Sequence, residues 1–435
     1  MTDDTYPALA AWLHDKPVAE LAFDGARGVE LTYTAAAVER YGVNGLALSA
    51  SLPVRRQPYA PDETAPYLDR LLPEGSARSL LERRFRVPRG DTFHLLEALG
   101  HDCAGGVVIV DADERRLDDR QGTLTALSDD GIADRLRSLP THPLGVDDRV
   151  RLSLAGMQEK LLLTQLPDGQ FALPTGTTPS THIIKPEIDG FPGVCANEAW
   201  CLTLAHRAGL SAARATVTAF GDRDALVVDR YDRRRDADGV LRRVHQEDMC
   251  QALGVPIPSK YEHEPDGPSL RRIAALLRRI AADPAADLDR LAQMTVFTVA
   301  VGNADLHGRN VSLLHGDEGP TLAPIYDVVA TVMYDTVSHE LGMYAGHARD
   351  VAAVSSEDLH AEMRAWGLPS RRQESLTEQT LDRLSAAIDE TTVAVPAAER
   401  VADVVRARIE RLQQGLTAGT AAVPGADDSR ALPDI

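Results

Sequence analysis

Residues Asp305 to Asn310, read Asp-Leu-His-Gly-Arg-Asn, set a carboxylate and a carboxamide five positions apart between two apolar runs. A carboxylate in such a loop can take or orient the proton of a hydroxyl group, and an amide oxygen beside it can ligate a hard cation such as magnesium. Phosphoryl transfer needs that pair, and protein kinases carry it as D-x-x-x-x-N. The spacing alone is weak evidence, because Asp is common and such pairs arise in loops by accident.

A second magnesium ligand should follow on a strand, and Pro324-Ile-Tyr-Asp-Val-Val supplies Asp327, 327 − 305 = 22 residues on. A carboxylate capping a turn at a strand end explains Asp327 equally well on local grounds. The phosphates of ATP also need a cation. Of 46 basic residues only Lys16, Lys160, Lys185 and Lys260 are lysine, so in this arginine-rich chain a lysine is a mild hint that an ammonium was required, with chance the equal alternative for any one of them. Lys185 ends the apolar strand Thr181-His-Ile-Ile-Lys, and Glu198, on the helix expected from about 196 to 208, is placed to pair with it as in protein kinases. The alternatives are a solvated lysine and an acid favoured by a helix N-terminus. Ser153-Leu-Ala-Gly-Met-Gln-Glu-Lys, ahead of a strand, suits a loop over phosphates, with Gly156 allowing close backbone approach. There is no G-x-x-x-x-G-K-[ST] sequence, which argues against a P-loop enzyme.

These residues need a scaffold, and 435 residues suffice for two or three domains. Before the boundary near 145, short apolar segments such as Gly45-Leu-Ala-Leu-Ser-Ala and Gly105-Gly-Val-Val-Ile-Val read as strands, with a helix over 65–85 between them. Residues 111–150 are polar and weakly periodic. Strand patterns return at Lys160-Leu-Leu-Leu-Thr, His182-Ile-Ile-Lys and Ala225-Leu-Val-Val-Asp. From 245 the reading is mainly helical, with Leu270, Ile273, Ala274, Leu277 and Ile280 on one face. The fold class expected is α+β, a two-lobed protein-kinase-like fold with an extra N-terminal α/β subdomain and a mainly helical C-terminal lobe. Its parts are an N-terminal subdomain at 1–112, a connecting segment at 113–148, a nucleotide-binding lobe at 149–240, a helical catalytic lobe at 241–415 and a disordered tail at 416–435.

The net charge of −19 repels phosphate backbones, so direct, unaided DNA binding is not expected. Cys103, Cys195, Cys201 and Cys250 lack the spacing of a disulfide framework or a thiolate zinc site. No apolar run reaches the roughly 20 residues that span a bilayer, and the first residues are acidic where a signal peptide is basic. A cytoplasmic protein without a membrane partner is expected.

Taken in order, Leu71-Leu-Pro-Glu-Gly, Leu99-Gly-His-Asp-Cys-Ala-Gly-Gly, Ser153 to Lys160, Thr181-His-Ile-Ile-Lys-Pro, Asn197-Glu, Val228-Asp-Arg-Tyr-Asp-Arg, His245-Gln-Glu-Asp-Met-Cys-Gln-Ala-Leu-Gly, Asn303 to Asn310 and Tyr326-Asp-Val resemble the HipA family of bacterial serine/threonine kinase toxins over nearly the whole chain. The resemblance implies ATP and Mg2+ as cofactors, with Asp305 as catalytic base and Asn310 and Asp327 as magnesium ligands. It implies an ATP site built from Ala155, Gly156, Met157, Gln158, Glu159 and Lys160 as the phosphate loop, Lys185 on the phosphates and Asp229, Arg230 and Tyr231 facing the adenine. His307, Gly308, Arg309, Asn310, Tyr326 and Asp327 complete that site. Ser153 matches the family's autophosphorylation position, whose modification ejects the loop and silences the kinase. Departures from the family pattern are Met157 for a small residue, Arg309 for Lys and Asp229 for Glu.

The resemblance also implies a HipB-like helix-turn-helix antitoxin that binds operator DNA and would supply most of the positive charge. The implied substrate is a translation factor such as glutamyl-tRNA synthetase, whose phosphorylation arrests growth. Two rival readings are a small-molecule kinase of the aminoglycoside or choline type and a catalytically weak corepressor scaffold. The first should lack the N-terminal signature and the His245-Gln-Glu-Asp segment. The second is opposed by intact Asp305, Asn310, Asp327 and Lys185.

Overall fold

The structure is a computed structural model that describes residues 8–26, 28–113, 122–144, 154, 158–392 and 396–420, the backbone alone at 396 and 397. Four antiparallel strands open the chain, in the order Val29–Tyr33, Lys16–Phe23, Leu9–Leu13, Val107–Asp111. Their inner faces pack under the helices Pro61–Leu68, Gly75–Phe85 and Thr92–Leu99. The helix expected over 65–85 is therefore two helices, parted at Leu72-Pro73-Glu74 where proline removes a backbone donor. Gly45 to Ala50 is not a strand. The Ala50 amide and Ser49 hydroxyl bond instead to the buried Glu247 carboxylate, so that segment meets its hydrogen-bonding needs without a ladder.

A six-stranded antiparallel sheet follows, in the spatial order Leu124–Ala126, Phe171–Pro174, Leu161–Gln165, His182–Pro186, Arg223–Asp229, Ala215–Phe220. The segment expected only to connect thus supplies an edge strand and the helix Asp129–Ser138, capped by Ser128. Side chains alternate across the sheet. Ile184, Ala225 and Val227 on its outer face join the core of the N-terminal domain. Leu226 and Val228 on the inner face pack on Val194, Cys195 and Ala199 of the helix Val194–Arg207. The other side of that helix, with Trp200 and Leu204, enters the core of the helical lobe. It is therefore buried almost all round, and the Glu187 carboxylate accepts the amides of its first two residues at 3.2 Å.

The C-terminal lobe is built on Leu270–Ile280, Pro284–Val301, Ser356–Ala365, Ser370–Ile388 and Pro396–Gln413. It also contains a three-stranded antiparallel sheet, His245–Asp248, Ser312–Gly316 and Gly319–Leu322, within the region that the sequence pattern reads as mainly helical. The beginning of the expected disordered tail is docked: Ala418 is fully buried and its amide donates to the Val354 carbonyl at 2.8 Å. Among the described residues no helix is long and apolar enough to cross a membrane.

Candidate active site

The helix Pro284–Val301 begins with Asp283 as cap and Pro284 in its first turn and ends at Gly302, which is left-handed with φ 74°. A Cβ at Gly302 would stand 2.5 Å from Val332, so the chain leaves the helix at this residue because it has no side chain. The loop that follows holds itself. Asn303 Oδ1 accepts the Asp305 amide at 2.9 Å, and Asn310 Nδ2 donates to the Asp305 carbonyl at 3.0 Å, leaving Asn310 Oδ1 as the oxygen able to meet a cation. Gly308 lies where a Cβ would come within 2.6 Å of Cys250 and Pro268. His307 is buried, and desolvation first of all depresses its pKa.

Opposite stand Lys185 and Glu198, brought together as their spacing predicts. Lys185 Nζ donates to Glu198 at 2.8 and 3.1 Å and to Asp327 at 2.6 Å. Burial opposes the charges of this trio, yet the two carboxylates raise the Lys185 pKa, and Lys185 holds Asp327 down at about 2. Burial pushes Glu198 up, with Lys185 pulling the other way. Asp327 is not on a strand. It follows a single bridge between Ile325 and Ala212 and has φ 56°, an uncommon conformation for a residue with a Cβ. Asn197, next to Glu198, brackets the Ala330 backbone with both amide atoms and so ties the helix to the segment that carries Asp327. Lys160 is buried nearby, its pKa lowered to about 8 by desolvation and then by Lys185.

Other expected site residues are placed differently. The Asp229 side chain is on the outer sheet face, paired with His182 at 3.1 Å, while Lys185 points inward. Arg230 is buried in a cluster in which Asp232 takes it at 2.7 Å and Asp102 takes Arg233 and Arg243 at 2.9 Å each. Burial works against the Asp102 charge, but the three guanidiniums hold its pKa far below the usual carboxylate range. Asp102 comes from the N-terminal domain, so this cluster fastens that domain to the segment after Asp229. Tyr231 packs on Tyr326 at 5.4 Å and donates to Gln246, and Tyr326 donates to the Arg309 carbonyl at 2.7 Å. The Arg309 guanidinium is drawn away to Glu74 of the N-terminal domain and lies 3.5 Å from Asp248. Gln158 reaches the Pro186 carbonyl at 3.5 Å and Glu159 is exposed. Ser153, Ala155, Gly156 and Met157 lie outside the described residues.

Sequence reasoning missed Tyr261, whose hydroxyl donates to Asp305 Oδ1 at 3.0 Å, and also Glu74, Asp248 and Gln246. The signal for Tyr261 was its neighbour Lys260, one of the four lysines. Among the described residues no three His, Cys, Asp or Glu side chains converge as a cage. Asn310 Oδ1 and the half-exposed Asp327 carboxylate are hard oxygen donors, the chemistry that suits a magnesium ion that keeps waters and takes phosphate oxygens.

Residues 152–391 match the HipA-like C-terminal domain and residues 9–110 the HipA N-terminal domain. The chain is 38% identical over 398 residues to the putative kinase Y4mE of Sinorhizobium fredii, covering 89% of this chain and 93% of that protein. It is 30% identical over 397 residues to the serine/threonine-protein kinase toxin HipA of Shewanella oneidensis, covering 88% and 89%. The fold matches the toxin chain in the complex of Shewanella oneidensis HipA, HipB and operator DNA with a TM-score of 0.81 and 28% identity, over 93% of this chain and 97% of that one. The chain belongs to the HipA family of serine/threonine-protein kinase toxins.

Proposed function

We propose that the protein transfers the γ-phosphoryl group of ATP to serine or threonine hydroxyls of a protein, with Mg2+, and that this activity arrests growth. The observation that carries the reading is Lys185 held between Glu198 and Asp327, the arrangement a kinase needs to present an ammonium to phosphates. Asp305 is the carboxylate that orients the acceptor hydroxyl and takes its proton. Lys185 and Lys160 hold the phosphates. Asn310 Oδ1 and Asp327 would hold the magnesium ion, which when bound offsets phosphate charge. Asp229, Arg230 and Tyr231 meet the adenine through their backbone, since the Asp229 and Arg230 side chains are engaged elsewhere. Arg309 serves the contact with Glu74 instead of the phosphates.

The family membership supports further steps. A HipB-like helix-turn-helix antitoxin binds the chain and carries it to operator DNA, as the negative charge of this protein favours. The protein works in the cytoplasm, glutamyl-tRNA synthetase is its substrate, and phosphorylation of Ser153 silences it. Expression in a bacterial host tests the reading. Growth arrest by the wild type, relieved by Asp305→Asn and by a co-expressed antitoxin, is the expected result. Equal arrest by Asp305→Asn would sink it. A mass increase of one phosphoryl group on purified glutamyl-tRNA synthetase tests the substrate.

A further inference from the structure

The segment Lys260 to Glu264 crosses the mouth of the Asp305 loop and is fastened there at several points. Both the Lys260 and Tyr261 amides donate to the Glu264 carboxylate. The Lys260 carbonyl accepts the Gly308 amide at 3.1 Å, directly from the catalytic loop. The Glu262 amide donates to the Gly342 carbonyl at 2.8 Å, and the Gly342 amide donates to the Ala304 carbonyl at 2.7 Å. Glu262 Oε2 in turn accepts the Tyr344 amide at 2.7 Å. Between these ties the Tyr261 ring stacks on His263, at 5.5 Å with planes 8° apart, and meets His307 edge-on at 5.3 Å. Its hydroxyl reaches Asp305 Oδ1 at 3.0 Å.

A surface tyrosine that touches a carboxylate in passing would have none of this support. Here the backbone is tied on one side directly to Gly308 and on the other through Gly342 to Ala304, while His263 stacks on the ring, His307 meets it edge-on and the Lys260 ammonium stands 4.9 Å from its centroid. Burial, and then the Asp305 charge, raise the Tyr261 pKa, so the hydroxyl stays a neutral donor. A carboxylate on a loop can rotate, and a base that rotates wastes encounters with its acceptor. One fixed donor on Oδ1 settles the carboxylate plane and leaves Oδ2 for the incoming hydroxyl.

We infer that Tyr261 is a positioning residue for the catalytic base, setting the rotamer of Asp305 from a loop outside the D-x-x-x-x-N motif. The inference rests on the kinase reading and deepens it. Tyr261→Phe removes the hydroxyl and keeps the ring, so the stack on His263 and the contact with His307 remain.

The test is γ-phosphoryl transfer from labelled ATP and Mg2+ to casein, measured for wild type, Tyr261→Phe, Asp305→Asn and the double variant, with melting curves for all four. The expected result for Tyr261→Phe is a fall in kcat of about tenfold to a hundredfold, the range of a hydrogen bond to a charged group, with KM for ATP and the melting temperature unchanged. In the Asp305→Asn background the same change should cost nothing more, because Tyr261 acts only through that carboxylate. An unchanged kcat would overturn the inference, as would equal losses in both backgrounds. A kcat that rises would overturn it too, showing that Tyr261 blocks the acceptor's place. If Asp305→Asn is as active as wild type, or the wild type labels nothing, the kinase reading itself fails, a result distinct from all of these.

Discussion

Glu198→Gln isolates what the buried carboxylate does for Lys185. Glutamine keeps the shape and one acceptor oxygen but removes the charge from a side chain that is 2% exposed. Hydrogen bonds to a charged group contribute about 1.5–3 kcal/mol, and Lys185 stays charged in the variant, so exchanging carboxylate for carboxamide moves the bond within that range, a loss of about 0.5–1.5 kcal/mol. The larger figure for an orphaned buried charge does not apply, because Asp327 still faces Lys185 at 2.6 Å. That remaining pair is the source of the functional effect. Nucleotide and cation must draw Lys185 and Asp327 apart, and without the Glu198 charge nothing holds the ammonium in place while they do. The expected result is a Kd for fluorescent ATP, measured with Mg2+, weakened about twofold to tenfold, since about 1.4 kcal/mol corresponds to tenfold. The melting temperature should fall with it, whereas Asp305→Asn should leave nucleotide affinity unaltered. Wild-type affinity and melting in Glu198→Gln would refute the argument and reduce the trio to packing.

Two other perturbations separate neighbouring roles. Arg309→Ala should leave nucleotide affinity as in the wild type and lower thermal stability, because its guanidinium lies against Glu74 and Asp248; a large loss of ATP affinity in the same titration would return it to the phosphates. Asp248 has its pKa raised to about 6, by burial first, with Arg70 and the Gln251 amide opposing. A raised carboxyl stabilises the fold below the unfolded value of about 3.9, and that contribution is lost as pH climbs to about 6. Asp248→Asn keeps an oxygen to accept the Gln251 amide, which Asp248 takes at 2.8 Å, and should flatten the fall in denaturant midpoint between pH 4 and pH 6, which chemical denaturation at a series of pH values would show.

The geometry of the Asp305 to Asn310 loop was legible because it is local: Asp305, Asn310 and the supporting Asn303 lie within eight residues, and both asparagines bond to the Asp305 backbone. The Lys185 to Glu198 pair was legible because a strand followed by a helix brings its end residue to the first turns of that helix. Asp327 was found by spacing, but its conformation was not, since Ile325, Val328 and Val329 imitate a strand while the backbone turns left-handed at the acid. The direction of Asp229 was readable in principle: strand alternation puts it opposite Val228, and so on the face away from the inner core. Arg309, Arg233 and Ser49 were not readable, because Glu74, Asp102 and Glu247 come from distant segments and only the folded chain brings them near. The strand Leu124–Ala126 escaped notice because it is an exposed edge with no buried face to pattern it.

The most direct measurement is phosphoamino-acid analysis of protein labelled by the purified chain with γ-labelled ATP and Mg2+, wild type beside Asp305→Asn. The mechanism predicts phosphoserine or phosphothreonine from the wild type and a loss of label of at least about a hundredfold without the Asp305 carboxylate. Label that survives Asp305→Asn, or no label on any protein hydroxyl, would contradict it.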